Sequence, residues 1–265
     1  MNTIFCSGAV GFVDGIKKWA IDFADEFTLN FIDDDRWTWI AKGLGNTLLI
    51  TAGALVLGIV IGIFVAAVRS SFDKNREELK KRGGAGYIVM CILNAICKVY
   101  LTVIRGIPVV VQLLIWYFVI LVSSNDGVPV AIIAFGVNSG AYVAEIFRSG
   151  IMSIDHGQFE AGRSLGFNYF QMMRFVVIPQ AFKVVLPTLG NEFIALIKET
   201  SIAGYVGIVE LTKAGDLIRS RTYEAFFPLI STAIIYFLIT WILTRILVAV
   251  QDRLNPKKRR EKYLQ

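Results

Sequence analysis

A run of 23 residues without a charge, from Asn46 to Val68, most constrains what this chain can fold into. About 20 apolar residues are enough for a helix to cross a hydrocarbon core of roughly 30 Å. Of the 265 residues, 55% are hydrophobic and the mean hydropathy is +0.60, whereas soluble domains contain about 45–50% apolar residues. The sequence therefore predicts an all-α protein that folds in a bilayer.

Five segments are apolar enough to cross the membrane. They lie at about 42–68, 92–122, 128–150, 180–203 and 225–250. The second is long and contains Pro108, and we interpret it as one kinked, tilted helix, because neighbouring helices can satisfy the backbone group that a proline frees. The alternative is two separate spans, each of which would be shorter than the bilayer requires.

Outside these segments, basic residues are concentrated in every second connecting segment along the chain. Six bases follow the first span, four lie in or beside the polar segment after the third, and the C-terminal tail is basic, whereas seven acids and three bases precede the first span. Because cytoplasmic loops are enriched in Lys and Arg, we expect the N-terminus on the outer side of the membrane and the C-terminus in the cytoplasm. The chain then divides into an outer or interfacial segment, a transmembrane domain and a cytoplasmic tail, at 1–41, 42–250 and 251–265.

The N-terminal segment carries aromatic and aliphatic side chains at helical spacing. They are Phe12, Ile16, Trp19, Phe23 and Phe27. This pattern predicts a helix that lies on the membrane surface. Such a helix either rests at the interface or has a specific role, and the sequence does not decide between the two.

A polar insert at 153–179 separates the third and fourth spans. Each half begins with Asp or Asn followed three residues later by Gln, which is the pattern of a capping box and predicts two short helices. The pairs are Asp155 with Gln158 and Asn168 with Gln171. Gly166 lies between the helices, and Pro179 is expected to end the second one. By itself the pattern fits either a connector on the membrane surface or a docking site for a cytoplasmic partner.

Polar and charged side chains inside the spans are costly there and indicate function. Those that we assign to a substrate pathway are Arg105, Gln112, Asn138, Tyr142, Glu192 and Lys198. Helical spacing places Arg105 and Gln112 on one face, and Asn138 and Tyr142 on another. Arg105 would bind a carboxylate, and Glu192 or Glu145 an amine. Alternatively, these groups form ion pairs that hold the helices together, and the lysines extend towards the interface.

The insert resembles the EAA motif of ABC-importer permeases: Glu-Ala-Ala, three residues, Gly, nine residues and Ile-x-Leu-Pro. The matching positions are Glu160, Ala161, Gly162, Gly166, Val176, Ile178 and Pro179, with Gly162 in place of the second Ala. The segments "IRGIPVVVQLLIWYF", "NSGAYVAEIFRSGI" and "LPTLGNEFIALIKETSI" are similar to the polar amino-acid permeases, which serve histidine, arginine, glutamine and glutamate. The resemblance covers about 40–250, whereas the first 36 residues and the loop at 69–86 extend beyond a minimal member.

This resemblance implies a type I importer permease with five spans in a bacterial cytoplasmic membrane, whose insert is the coupling helix. Glu160 would pair with a basic residue of a separate cytoplasmic ATPase, and Ala161 and Gly162 would keep that contact close. The implied partners are ATPase subunits that bind ATP-Mg, an extracellular or periplasmic amino-acid-binding protein, a second identical or related permease chain and membrane lipid, with no nucleic acid. The chain itself would hold no cofactor or metal.

No motif for catalysis is found in the sequence. It lacks a GxxxxGK[ST] phosphate loop, its single histidine, His156, excludes an HExxH site, and its three cysteines form no CxxC pair. We therefore expect a transport subunit rather than an enzyme. The other hypothesis is a transporter or channel driven by an ion gradient, with Glu145, Glu192 and Glu199 as coupling sites.

Overall fold

The computed structural model describes residues 17–254, and every regular element in this range is helical. We number nine helices, beside a short 3-10 turn at Asp33–Asp35. They are α1 (17–32, ending in the π-helical turn Thr28–Ile32), α2 (Trp37–Arg82), α3 (Gly84–Gly106), α4 (Val109–Ile120), α5 (Gly127–Met152), α6 (His156–Ser164), α7 (Tyr169–Val206), α8 (Leu211–Thr222) and α9 (Phe226–Leu254). By length and composition, α2, α3, α5, α7 and α9 are candidate membrane spans, which confirms the predicted all-α fold with five spans.

The core of the bundle forms where α2 lies along α5. Small residues let these helices approach closely: a Cβ added at Gly58 would lie 3.2 Å from the Gly140 backbone nitrogen, and one added at Gly62 would overlap Val143. The fully buried Phe135 of α5 packs in the same core. Since lipid supplies no hydrophobic drive between helices, close van der Waals contact of this kind stabilises the bundle.

The first span is longer than the sequence predicted. Instead of ending near residue 68, α2 continues through 69–82, which we had assigned to a loop. The reason lies in the residues themselves, because Lys, Arg, Glu and Leu are good helix formers and 69–82 contains no Gly or Pro. The helix ends at Gly83, whose φ of +62° suits glycine. We call 69–82 the α2 extension.

The prediction of a single kinked helix over 92–122 is wrong, because the helical backbone is interrupted there. The α3 helix ends at Gly106, Ile107 is extended (φ −108°, ψ 132°), and α4 begins after Pro108. A residue before proline avoids the helical region, so the chain breaks rather than bends. Gln112 of α4 contacts Asn138, which lies near the middle of α5. The break therefore lies at the level of the middle of α5. We call α3, the break and α4 together the broken crossing, although α3 alone is long enough to be a candidate span.

At the end of the bundle opposite α6, the buried Glu210 joins three helices. Its carboxylate accepts hydrogen bonds from the backbone N–H groups of Thr212 and Lys213, each at 2.7 Å, and thereby caps α8. The Tyr236 hydroxyl of α9 donates to it at 3.0 Å, while Thr47 of α2 accepts from the backbone of Leu211. Burial raises the pKa of Glu210, and these hydrogen bonds oppose that shift.

The two ends of the chain lie only partly within the described residues. In α1, Trp19 is exposed, and Phe23 contacts Phe227 of α9 with ring centroids 4.8 Å apart. Phe12 and Ile16 of the predicted surface helix lie outside the described residues. Of the predicted tail at 251–265, only 251–254 is described, and it belongs to α9.

Candidate functional site

The insert between α5 and α7 is built from two capped helix starts, one of which differs from the prediction. Asn168 and Gln171 form the full reciprocal capping box at the start of α7. Asp155 caps α6 by accepting from the Gly157 N–H at 2.6 Å, but Gln158 gives no reciprocal bond and instead contacts Gln180. The predicted capping box at α6 is therefore only half formed.

Two glycines of the EAA-like motif have separate structural roles. Gly166 has a φ of +79° between α6 and α7, where we predicted that glycine would end the first helix. Gly162 is buried, and a Cβ added there would overlap Met172 Cε and lie 2.9 Å from its Sδ. The second small residue of the motif thus allows α6 to pack on α7 within the insert.

The remaining motif positions, Glu160 and Ala161, are exposed on α6. Glu160 has one protein partner in the described residues, His156, at 3.2 Å on the same helix. Leu165 and Phe170, between α6 and the first turn of α7, are also uncovered, with 76% and 70% of their surface exposed. An apolar and acidic surface at the tip of a polar insert is typical of a site that binds another protein.

Pro179 does not end the second helix of the insert, which corrects our prediction. The α7 helix continues through it to Val206. A π-helical turn, Met173–Val177, immediately precedes the proline, and such turns accommodate local breaks in α-helical hydrogen bonding. The second helix of the insert and the fourth span are therefore one continuous helix.

Inside the bundle, the Gln112 side chain stabilises the break between α3 and α4. Its Nε2 donates to the carbonyls of Ile104 and Ile107 at 2.7 and 2.8 Å, and lies 3.2 Å from Asn138 Oδ1. The carbonyls of a broken helix have lost their helical partners, and in a bilayer an unpaired backbone group is costly. Two of the six proposed pathway residues, Gln112 and Asn138, are thus buried, and they stabilise the break.

Arg105 lies in the last turn of α3, beside the break. Its guanidinium is 3.8 Å from Glu145 of α5 and 5.8 Å from the ring centre of Tyr142. About half of the Arg105 side chain is exposed, and Tyr142 is also exposed. The structure therefore brings together Arg105, Tyr142 and Glu145, whereas helical spacing alone grouped Arg105 with Gln112 and Tyr142 with Asn138.

Glu192 of α7 lies on another side of α5, where its carboxylate accepts from the Ser139 hydroxyl at 2.9 Å. We did not single out Ser139 from the sequence, although it directly follows Asn138 and is one of the few hydroxyl groups in the third span. Lys198 is exposed on α7, six residues from Glu192, and has no described contact with the other proposed residues. The structure thus does not bring Lys198 into the cluster.

A polar pocket of about 380 Å³ opens beside Arg105. Charged and hydroxyl side chains from three helices line it, namely Arg69, Lys98, Thr102, Arg105 and Glu145. Within the described part of the chain, no group of three or more His, Cys, Asp or Glu residues could hold a metal ion. The site has the chemistry of a charged and hydrogen-bonding surface, suited to a polar solute.

Comparison with known proteins defines the class as a membrane transport permease. A family model described as the inner membrane component of binding-protein-dependent transport systems matches residues 85–260. The "Probable amino-acid ABC transporter permease protein YckA" of Bacillus subtilis is 34% identical over 84% of this chain and 90% of its own length. The glutamine transport system permease GlnP of Escherichia coli is 34% identical over 82% and 93%. The chain therefore belongs to the family of ABC-importer permeases, as its motifs indicated.

Solved structures agree with this assignment. A chain of an amino acid ABC transporter, crystallised with histidines, is 36% identical and superposes with a TM-score of 0.71 over 84% of this chain and 98% of the other. A chain of the inward-facing methionine transporter MetNI, 22% identical, has a TM-score of 0.64 over 82% and 99%. The fold is thus that of type I ABC-importer permeases.

Proposed function

We propose that this chain is the membrane subunit of an ATP-driven importer of polar amino acids. Charged and polar side chains on α3 and α5 carry the proposal, because Arg105, Tyr142 and Lys98 are exposed beside helices that cross a bilayer. Charged groups in lipid are costly and normally face a water-filled cavity or another chain. Two copies of this face, from this chain and a second identical or related one, would enclose a pathway.

The substrate class follows from the chemistry of this face and from the names of the relatives. A free amino acid carries a carboxylate and an ammonium, and the face offers Arg105 for the first and Glu145 for the second, while Glu192, on another side of α5, is the other candidate for the ammonium. Gln112, Asn138, Tyr142 and Lys198 complete the set of proposed pathway residues. The relatives named as amino-acid and glutamine permeases support the same class.

The energy would come from a separate ATPase that binds ATP-Mg and contacts the insert. The exposed Glu160, Ala161, Leu165 and Phe170 form an uncovered surface that supports this assignment. Gly162, Gly166 and Pro179 would shape the insert without touching the partner. Closure of two ATPase subunits would move the paired inserts and open the pathway outward, and hydrolysis would reverse the change. An amino-acid-binding protein on the outside would deliver the substrate.

The proposal is tested by purifying the chain in mild detergent and measuring uptake after reconstitution. The cognate ATPase should co-purify, and vesicles should accumulate amino acid only with ATP. Arg105→Ala should lower uptake by roughly 10- to 100-fold, since a hydrogen bond to a charged group contributes about 1.5–3 kcal/mol. Arg245→Ala is the matched control, because Arg245 of α9 stacks on Trp241 away from the pathway.

A second variant tests the insert. Glu160→Lys should leave the protein in the membrane but abolish ATP-driven uptake, whereas Glu77→Lys, an exposed acid on the α2 extension, should not. Uptake that follows an ion gradient without any ATPase would contradict the proposal and support a secondary transporter. Unchanged uptake in Glu160→Lys would contradict the assignment of the insert.

A further inference from the structure

A series of contacts runs from α6 of the insert to Arg105 beside the broken crossing, in which the step from Lys74 to Asp73 is made by the backbone of one helix. At the insert, the Lys74 ammonium of the α2 extension lies 3.4 Å from the centre of the Phe159 ring of α6. The neighbouring Asp73 reaches Arg148 of α5, with Oδ2 and Nη1 3.6 Å apart. From there the contacts continue through α5 to α3.

Arg148 and Glu145 each bridge two partners with different atoms. Arg148 uses Nη1 for Asp73 and Nη2 for Glu145 Oε2, at 3.3 Å, while Glu145 uses Oε1 for Arg105, at 3.8 Å. The charges alternate from Asp73 to Arg105, so Arg148 and Glu145 each lie between two groups of opposite charge. A planar guanidinium with several donors suits such a bridge, and a lysine does not.

The α2 extension connects this series to the core of the bundle. It is the uninterrupted end of α2, so the position of Asp73 depends on a helix that also packs along α5 in the core. At the other end, Arg105 is two residues from Ile107, where the backbone is no longer helical. A side chain next to such a break can change position without disrupting the backbone hydrogen bonds of a continuous helix.

A cleft of about 600 Å³ separates the α2 extension from the insert. Its lining includes Asp73 and Lys74 on one side and Phe159, Glu160 and Arg163 on the other. Phe159 of α6 contacts Lys74, so a displacement of α6 changes the surroundings of Lys74 and of the neighbouring Asp73. The cleft provides the space for such a displacement.

We propose that Asp73 and Arg148 are positioning residues that transmit the movement of α6 to Arg105 in the substrate pathway. The proposal rests on the proposed function, since it assumes that an ATPase moves the insert. It assigns a task to the α2 extension, which the family resemblance left unexplained. The ion pairs are partly exposed and individually weak, so their role is to set geometry rather than to hold the fold together.

The experiment measures how much ATP is hydrolysed per amino acid transported by the reconstituted complex. Asp73→Asn should raise this ratio by about 2- to 30-fold, the range found for mutations along coupled networks. Retention of the ATPase and the thermal stability of the complex should stay unchanged, which separates this role from a structural one. Asp73→Glu should restore the wild-type ratio.

Glu77→Gln is the matched control, because it removes an exposed carboxylate one turn further along the same helix and should leave the ratio unchanged. Arg148→Gln should resemble Asp73→Asn, and the double variant should be no worse than either single variant, since both break one series. Additive effects, or a normal ratio in Asp73→Asn, would overturn the inference. If the wild-type complex shows no ATP-driven uptake, the proposed function itself fails, which is a different result.

Discussion

At the scale of single residues, Gly162 illustrates how a motif position acquires its physical meaning. The resemblance implied that small residues at this point keep an ATPase contact close. In the structure, Gly162 is instead covered by Met172 of α7, so the absence of a side chain first serves the packing of the insert on itself. Ala161 and Glu160 remain exposed for a partner.

Gly162→Val is expected to destabilise the insert by about 1–3 kcal/mol, the usual cost of forcing atoms into a packed site. Thermal unfolding and limited proteolysis between α6 and α7 measure this effect. Ala161→Val is the matched control and should be nearly neutral, because that position is exposed. Combining Gly162→Val with Met172→Ala should recover part of the loss, and failure to do so would contradict this packing.

At the scale of elements, the broken crossing of α3 and α4 shows how far the sequence predicts a helix and where it does not. The sequence contained Pro108 and a hydrophobic stretch too long for one span, and these were sufficient to predict an irregular helix near the correct place. They did not predict a full break, because its stability depends on Gln112, which satisfies two carbonyls of the preceding helix. Those bonds are local in sequence, but Gln112 also contacts Asn138 of α5, a tertiary contact that no local pattern specifies.

Gln112→Leu removes the donor and leaves the carbonyls of Ile104 and Ile107 unpaired. We expect a loss of about 1–3 kcal/mol of stability for an unsatisfied buried group, measured by thermal unfolding in detergent. Amide hydrogen exchange in α4 should increase as well. Gln158→Leu, at an exposed position of α6, is the control and should change stability by less than about 0.5 kcal/mol. Equal stability of the two variants would contradict the role of Gln112.

The α2 extension shows a different limit at the same scale. Its charged residues led us to assign 69–82 to a loop, although no Gly or Pro interrupts the stretch before Gly83. Charge marks the point where a helix leaves the hydrocarbon core, but it does not end the helix. The absence of a helix-breaking Gly or Pro from 69–82 was the sequence signal that could have identified the α2 extension, and with it Asp73.

At the scale of the whole molecule, a single chain leaves large apolar surfaces uncovered. In α9, Phe237, Trp241 and Ile246 are about half exposed or more, as expected for a helix that faces lipid or a second chain. The charged Lys98 and Arg105 of α3 are also exposed, and charged groups do not fit lipid. The two kinds of surface agree with the proposed division into a lipid-facing side and a side that encloses the pathway.

The orientation deduced from the distribution of basic residues predicts which ends are accessible from outside. The native cysteines Cys6, Cys91 and Cys97 are first replaced by alanine. Ser124→Cys, in the turn between α4 and α5, should then react with an impermeant thiol reagent added to intact cells. Lys258→Cys, in the tail, should react only after the membrane is opened. Equal labelling of both in intact cells would contradict the five-span topology.

The sequence by itself determined that the chain folds in a bilayer, how many spans it has, which family it belongs to and that a polar insert lies between the third and fourth spans. Hydrophobic length, turn residues and motif spacing are local properties, and they were sufficient for these conclusions. Only the tertiary structure decided the break at Ile107, the continuity of α7 through Pro179 and the pairing of Glu192 with Ser139. It also decided the series from Asp73 to Arg105, which joins residues of three helices. These features depend on which side chains meet after packing, and helical periodicity predicts faces but not the partners that those faces contact.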